Sequence, residues 1–235
     1  MIRPAELFYP RGAECLTCGD PLRAEADYCL CPDCRQALLA LRLRDGVCSR
    51  CMHPLGRRGS CPFCSAGRLQ PLAEGYGAYR YTGEAAELVK LLKYGYQDEA
   101  ADALAAGMAQ CFPPGRYDAL TPVPLHRSRQ RMRGINQARL LCQLVSRRTG
   151  LPVLDTLTRS RKTRMQARLR GSAIRQRNVQ GAFSLASDVQ GLRLLLVDDV
   201  RTTGATARAC AQALLAGGAA EVSILTACIA TERRP

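Results

Sequence analysis

Two neighbouring aspartates, Asp198 and Asp199, end the apolar run of the segment LLLVDDVRTTGAT at residues 194–206. A turn of small and hydroxyl side chains follows, and then an alanine-rich stretch with the pattern of a helix. Free amides at a helix start bind phosphate with the help of the helix dipole, and small side chains let the backbone approach it. The carboxylates can accept hydrogen bonds from vicinal hydroxyls, as on a ribose. The segment predicts a ribose-5-phosphate site rather than an ordinary helix cap beside two solvated acids.

The cysteines indicate a second kind of chemistry. Eight of the thirteen form Cys-x-x-Cys pairs, each of which presents two sulfurs on one side of a tight turn. Two pairs complete the tetrahedral thiolate site that zinc accepts most readily, so we expect two structural zinc sites. Regular spacing and the lack of an export signal disfavour the competing interpretation, disulfides. The pairs are Cys15 and Cys18, Cys31 and Cys34, Cys48 and Cys51, and Cys61 and Cys64.

The pairing of these four turns stays open at the level of sequence. Sequential pairing makes one site from the first two turns and another from the last two, whereas cross-bracing joins alternate turns. Such a short segment has too little apolar core to fold alone, so metal must contribute much of its folding free energy. Cys29 breaks the spacing and is interpreted as a packing residue or a spare thiol, and His53 is redundant beside four cysteines. The remaining four cysteines lie in apolar patterns typical of a core.

Charge is concentrated in one part of the chain. Residues 116–180 contain fifteen Arg, one Lys and two Asp. The net charge of this segment is +14, which equals the net charge of all 235 residues. This block suggests phosphorylated small molecules or nucleic acid as partners, and a solvated basic surface is the alternative. No apolar run approaches the ~20 residues needed to span a bilayer, and the N-terminus does not resemble a signal peptide. We therefore expect a cytoplasmic protein without membrane insertion.

Strand and helix patterns alternate after about residue 72, and most of the strand runs are apolar. This alternation predicts an α/β fold with a mostly parallel sheet covered by helices on both faces. Because ligand sites lie at the C-terminal ends of parallel strands, the aspartates are expected at such an end. We predict a small cysteine-rich domain over residues 1–70 and an α/β domain over residues 71–235. The predicted strands cover residues 75–81, 117–125, 151–157, 181–185, 191–199 and 221–230, and the predicted helices residues 35–46, 83–96, 98–112, 134–150 and 203–215.

Several of these segments resemble a known family. The segment at residues 194–206 is similar to the phosphoribosyl pyrophosphate (PRPP) motif of type I phosphoribosyltransferases. Together with TPVPLHRSRQRMRGINQA (residues 121–138), RKTRMQARLRGSAIRQRNVQGAF (residues 161–183) and the cysteine pairs, it resembles the ComF/GntX family. These are phosphoribosyltransferase-like proteins linked to natural transformation, and the resemblance covers nearly the whole chain. It implies a type I phosphoribosyltransferase fold preceded by a double zinc ribbon.

The resemblance also implies roles for individual residues. Asp198 and Asp199 would be the catalytic-site ligands of the ribose hydroxyls, with Mg²⁺ bridging diphosphate and ribose oxygens. The 5-phosphate would lie on a segment that we name the phosphate loop, which comprises Val200, Arg201, Thr202, Thr203, Gly204, Ala205 and Thr206. Candidate diphosphate ligands are Arg127, Arg131 and Arg133, while His126 would either bind diphosphate or cap the strand end. Further positions that match the family pattern are Lys93, Tyr94, Thr163, Gln166, Arg175 and Asn178, the last four in a segment that resembles the mobile lid of the fold.

Two functions follow from these features. The first is a PRPP-dependent phosphoribosyltransferase-like protein of DNA uptake, in which diphosphate leaves the ribose C1 carbon and a nitrogen nucleophile adds. The acceptor is not indicated by any part of the sequence. The alternative is a non-catalytic sensor of PRPP or a nucleotide that binds single-stranded DNA, although aromatic platforms for bases are scarce.

Overall fold

The computed structural model describes residues 14–22, 29–55, 60–95, 99–126, 134–159 and 181–231. Within these ranges, no helix combines the length and apolar character needed to cross a membrane. The strands are β1 (Gly75–Arg80), β2 (Ala119–Pro122), β3 (Leu157–Arg159), β4 (Phe183–Leu185), β5 (Arg193–Arg201) and β6 (Glu221–Ile229). The helices are α1 (Pro32–Ala40), α2 (Pro62–Ser65), α3 (Gly83–Lys90), α4 (Glu99–Met108), α5 (Gln137–Thr149) and α6 (Ala205–Ala216), and a π-helical turn (Leu91–Gly95) continues α3.

The main sheet has the strand order β1-β6-β5-β2, and all its pairs are parallel. The predicted α/β class with a mostly parallel sheet is therefore confirmed. β3 and β4 form a separate antiparallel pair, so the predicted strand at residues 181–185 does not join the main sheet. The predicted strand at residues 151–157 is reduced to one parallel bridge between Leu120 and Val153, and β3 begins only at Leu157.

Alternate side chains of the central strand enter two cores on opposite faces of the sheet. Leu195 and Val197 pack into the core covered by α3, α4 and α5. Leu194 and Leu196 pack into the other, which α6 and the β3–β4 pair cover. Both faces of β5 are thus buried, which explains why its sequence is continuously apolar.

The described residues 14–22, 29–55 and 60–70, which we name the cysteine-rich segment, pack into both cores. Cys15, Leu30 and Leu38 belong to the core on the α3–α5 face, and Cys51 and Phe63 belong to the core on the α6 face. Backbone hydrogen bonds also join this segment to β1. The segment therefore shares apolar core with the sheet on each side.

The first helix differs from its prediction because a cysteine starts it. The predicted helix at residues 35–46 is observed as Pro32–Ala40, directly after Cys31. The Cys31 sulfur accepts a hydrogen bond from the amide of Cys34, and Pro32 has a backbone angle suited to a first helical residue. The Cys-x-x-Cys turn is thus itself the start of the helix.

Candidate functional site

The aspartates lie near the C-terminal end of β5. The strand predicted at residues 191–199 is observed as Arg193–Arg201, because Asp198, Val200 and Arg201 keep parallel partners in β6. The strand therefore extends two residues beyond its predicted end. Helix α6 begins at Ala205 rather than at Thr203, after a short turn.

Gly204 joins this turn to α6 in a conformation that favours glycine. Its φ is 72°, in the left-handed region, and it occupies the N-cap position without a side-chain hydrogen bond to the helix. A Cβ atom there would lie 2.9 Å from the Phe63 ring and 3.2 Å from the carbonyl oxygen of Arg68. Because no cap satisfies the first amides of α6, they remain available to an anion.

The phosphate loop and the two aspartates line a cavity of about 280 Å³. Its other walls come from the segment after β2, the end of β3, the start of α5, the π-helical turn and β6. The structure thus brings every predicted residue from Asp198 to Thr206 to one site, together with Lys93 and Tyr94. The full lining is Tyr81, Lys93, Tyr94, Val123, Leu125, Asn136, Gln137, Ala138, Arg159, Asp198, Asp199, Val200, Arg201, Thr202, Thr203, Gly204, Ala205, Thr206, Ala207, Ile224 and Thr226.

Lys93 balances the charge of the aspartate pair. Its Nζ atom lies 2.9 Å from Oδ2 of Asp199, and both side chains are largely buried. Burial lowers the pKa of Lys93, but the neighbouring Asp199 outweighs it and the net direction is upward. Lys93 is therefore a cation held at the aspartates by the wide π-helical turn, a feature that is frequent at functional sites.

The charged form of the Asp198 carboxyl is disfavoured by its surroundings. Burial, with repulsion from Asp199, raises the pKa of Asp198 to about 7, while Lys93 and Arg159 oppose the shift. Its Oδ1 atom accepts a hydrogen bond from the amide of Asp199 at 2.9 Å. A buried carboxyl with a pKa near neutrality suits a site that gains a cation or hydroxyl donors on binding.

Arg159 is a cavity residue that the sequence analysis did not select. It ends β3, is 7% exposed, and its guanidinium carbon lies 5.2 Å from the centre of the Phe183 ring. Asn136 was missed as well; it caps α5 and donates a hydrogen bond to the Val123 carbonyl at 3.2 Å, which joins the ends of two cavity walls. Arg159 belongs to no recognisable local pattern, because it acquires its place through contacts between distant segments, whereas Asn136 has the residue type of a helix N-cap.

The side chain of Arg201 points away from the cavity opening towards the cysteines. It is 2% exposed and donates a hydrogen bond to the carbonyl oxygen of Cys51. Its guanidinium carbon lies 4.7 Å from the centre of the Phe63 ring. At Arg201 the phosphate loop is thus tied to the cysteine-rich segment.

The cysteines gather in two groups of four, in the sequential pairing. Within each group the four sulfur atoms lie within 4.8 Å of one another, and all thirteen cysteines are free thiols. The Sγ atoms of Cys18 and Cys31 lie 3.7 Å apart, and those of Cys51 and Cys61 lie 3.5 Å apart. Tetrahedral zinc with bonds of about 2.3 Å needs sulfurs about 3.8 Å apart, so both groups could hold zinc. We name Cys15, Cys18, Cys31 and Cys34 the first cysteine cluster, and Cys48, Cys51, Cys61 and Cys64 the second cysteine cluster.

Local backbone geometry shapes the first cysteine cluster and favours the thiolate form of Cys15. Gly19 has a φ of 80°, which lets the turn fold back so that its amide donates to the Cys15 carbonyl at 2.9 Å. Burial raises the pKa of the Cys15 thiol, but hydrogen bonds from backbone amides of the cluster outweigh it and lower the pKa to about 6. Cys29 lies outside both clusters, and His53 instead stacks on Phe63 with ring centres 5.6 Å apart.

The remaining predicted site residues are not part of the described cavity. His126 is half-buried and does not line it. The predicted diphosphate ligands and lid positions lie outside the described residues: Arg127, Arg131, Arg133, Thr163, Gln166, Arg175 and Asn178.

Comparison with known proteins identifies the family. No protein-family model matches the chain. It is 36% identical over 226 residues to DNA utilization protein YhgH of Salmonella typhi, and the match covers 91% of this chain and 96% of the relative. It is 27% identical over 208 residues to competence protein ComFC of Bacillus subtilis, covering 84% and 82% of the two chains. Among solved structures, glutamine PRPP amidotransferase from B. subtilis is similar over 54% of this chain and 26% of that chain, with 22% identity and a TM-score of 0.38. The extent and identity of the match to YhgH show that this chain belongs to the ComF family, the family of YhgH and ComFC.

Proposed function

We propose that this protein binds PRPP in the cavity at the C-terminal end of β5, as a phosphoribosyltransferase-like protein that serves DNA uptake or use. One observation carries the proposal. The aspartate pair, the uncapped start of α6 and the Lys93 ammonium all face one cavity. PRPP offers vicinal hydroxyls to the aspartate pair and a 5-phosphate dianion to the start of α6. Its diphosphate adds negative charge that the Lys93 ammonium can neutralise.

The residues of the cavity also fit a magnesium ion. Mg²⁺ prefers oxygen ligands and keeps several waters, so one or two carboxylates suffice when the ligand supplies phosphate oxygens. Asp198 and Asp199 are the carboxylates that would hold it. When bound, the ion would withdraw charge from the diphosphate leaving group.

The protein's own groups would then act by binding and neutralisation. The amides at the start of α6 would bind the 5-phosphate, and the carboxylates would orient the ribose through its vicinal hydroxyls. Lys93 and Arg159 would stabilise negative charge as the C1–oxygen bond breaks, a nitrogen nucleophile adds, and diphosphate departs. The largely buried setting of both cations strengthens this stabilisation.

Titration calorimetry with PRPP, in the presence and absence of Mg²⁺, tests the proposal. We expect saturable binding that requires Mg²⁺ in the unaltered protein. The double variant Asp198→Asn with Asp199→Asn keeps side-chain volume but removes both charges, and should weaken binding by at least about 100-fold, the effect of two lost charge-assisted contacts.

Asp155→Asn is the matched control. Asp155 is exposed, its carboxylate is paired with Arg139 at 2.8 Å, and it does not line the cavity. This variant should bind PRPP as the unaltered protein does. Absence of PRPP binding by the folded, zinc-loaded protein would refute the proposal.

A nucleic-acid partner is a second candidate, supported by the charge of residues 116–180 and by the names of the relatives. That segment carries the whole net charge of +14, and YhgH is named a DNA utilization protein. Binding of single-stranded DNA should weaken steeply as salt rises, because phosphate contacts release counterions. A cytoplasmic location is part of the same proposal, since reduced Cys₄ zinc sites persist in reducing compartments.

A further inference from the structure

Arg201 is a buried cation whose charge has no balancing carboxylate in the described part of the chain. The ion pairs between described side chains do not include Arg201. The Nε and Nη1 atoms have no hydrogen-bond partner among the described residues, and Nη2 donates only to the carbonyl oxygen of Cys51. Arginine stays protonated in proteins, and an unpaired buried charge is strongly destabilising.

The second cysteine cluster is the nearest source of negative charge. Arg201 donates to the backbone of one of its members, Cys51, and stacks on Phe63, which lies between two others. Four thiolates around one Zn²⁺ carry a formal charge of −2, whereas four protonated thiols carry none. Binding of the metal therefore supplies the counter-charge that the guanidinium lacks.

The same elements bracket the turn of the phosphate loop. Arg201 is the last residue of β5 before the turn, and its side chain is fixed by Cys51 and Phe63. Gly204 ends the turn, and its Cα lies so close to Phe63 that a Cβ would be 2.9 Å from the ring. Phe63 is buried between Cys61 and Cys64 in helix α2, so the geometry of the cluster determines where both ends of the turn can lie.

We propose that metal at the second cysteine cluster is the counterion of Arg201 and thereby holds the phosphate loop in its binding conformation. Arg201 is then a positioning residue, and the second cluster controls the cavity while the first does not. The first cluster belongs to the core on the opposite face of the sheet. The part of this inference that concerns ligand binding rests on the proposed PRPP site, and the part that concerns metal does not.

Metal release tests the counterion directly. We would load Arg201→Met with two zinc ions and follow transfer to a chromogenic chelator. Loss of an outer-shell partner typically lowers metal affinity 10–100-fold, so one of the two ions should leave about 10–100-fold faster than in the unaltered protein. Arg201→Lys, which keeps a charge but lacks the guanidinium fork, should release that ion at an intermediate rate and stands in if the methionine variant does not fold.

Arg193→Met is the control, because Arg193 lies at the other end of the same strand and pairs at the surface with Asp118 at 2.8 Å. It should release both ions at the unaltered rates. Release of both ions from Arg201→Met and Arg201→Lys at the unaltered rates would overturn the inference, whatever the PRPP measurements give.

Single-site loss of metal tests the link to the loop. Cys64→Ser and Cys34→Ser each disable one cluster, and Co²⁺ absorption verifies that the other remains loaded. We expect Cys64→Ser to lose PRPP binding at least tenfold more than Cys34→Ser. Equal losses would contradict control by the second cluster, whereas failure of the unaltered protein to bind PRPP would refute the proposed function and leave the metal-release comparison to decide the counterion role.

Discussion

Asp198 combines the binding role proposed for it with a cost in stability. Burial, with repulsion from Asp199, raises the pKa of its carboxyl from 3.8 to about 7. Between these values the folded protein holds a proton that the unfolded chain has lost, so its stability falls as pH rises. The loss is complete above pH 7 and absent below pH 3.8. A ligand that brings a metal ion or hydroxyl donors would recover part of this free energy.

Asp198→Asn should therefore stabilise the free protein while it weakens PRPP binding. The gain in unfolding free energy over the unaltered protein should be about 1 kcal/mol larger at pH 8 than at pH 6. Urea unfolding at the two pH values measures it. Asp155→Asn, at an exposed ion pair, should change stability by less than about 0.5 kcal/mol at both. A gain for Asp198→Asn that does not change with pH would show that the carboxyl is not held near neutrality.

Residues of the site differ in how far their sequence context predicts them. The aspartates and cysteines stand in short local patterns, so a role could be predicted for them from the sequence, and the sequential grouping of the cysteines is confirmed. Arg159 and Arg201 acquire theirs from Phe183 and from Cys51, which lies 150 residues from Arg201. No periodicity or local motif records such contacts, because burial of a cation depends on how separate elements pack.

At the scale of elements, the junction of β5 and α6 depends on one glycine. Gly204 needs both its positive φ of 72° and the space that the Phe63 ring leaves beside it. Gly150, which ends α5, has a φ of 76° but nothing within 4 Å of an added Cβ. The two glycines therefore separate the backbone requirement from the packing requirement.

Gly204→Ala should destabilise the protein by about 2–3 kcal/mol, since strain in the left-handed region adds to the contact with Phe63. Gly150→Ala should cost about 1 kcal/mol, which reflects the backbone alone. Urea unfolding measures both, and calorimetry should show weakened PRPP binding only for Gly204→Ala. Equal effects of the two changes would mean that Phe63 moves aside without cost.

Elements were predicted well where both faces of a strand or one face of a helix are apolar, and less well at their ends. β1 and β6 begin at their predicted first residues and end one residue early, and α5 lies within three residues of its predicted range at each end. β5 passes its aspartates because β6 continues to pair with it, and pairing is not visible in one strand's own sequence. The β3–β4 pair forms between segments on either side of residues 160–180, a long-range pairing that local pattern does not specify.

At the scale of the molecule, the two cysteine clusters lie in cores on opposite faces of one sheet. Each cluster thus contributes to the same core as the strands and helices around the cavity. Unlike an appended metal-binding module, this segment cannot lose its structure without exposing apolar surface on the sheet. The cysteine-rich segment and the sheet should therefore unfold together, and loss of metal should destabilise both.

Removal of zinc with a chelator should lower the melting temperature of the whole protein by about 10 °C, which corresponds to roughly 3–5 kcal/mol. Scanning calorimetry should show one transition before and after chelation. The control for ionic effects is a zinc-replete sample with the same concentrations of Mg²⁺ and ligand. A separate low-temperature transition, with the main one unchanged, would show that the cysteine-rich segment is energetically independent.

The order of the strands has a consequence for synthesis. β1 pairs with β6, with Gly75 opposite Ile224, and β6 is the last strand of the sheet in the chain. On the ribosome, the cysteine-rich segment and β1 emerge long before β6, which supplies buried residues to both cores. The cysteines of the two clusters are therefore made early but receive their complete surroundings only when translation is nearly finished. During that interval their thiols are accessible to metal carriers and to oxidants.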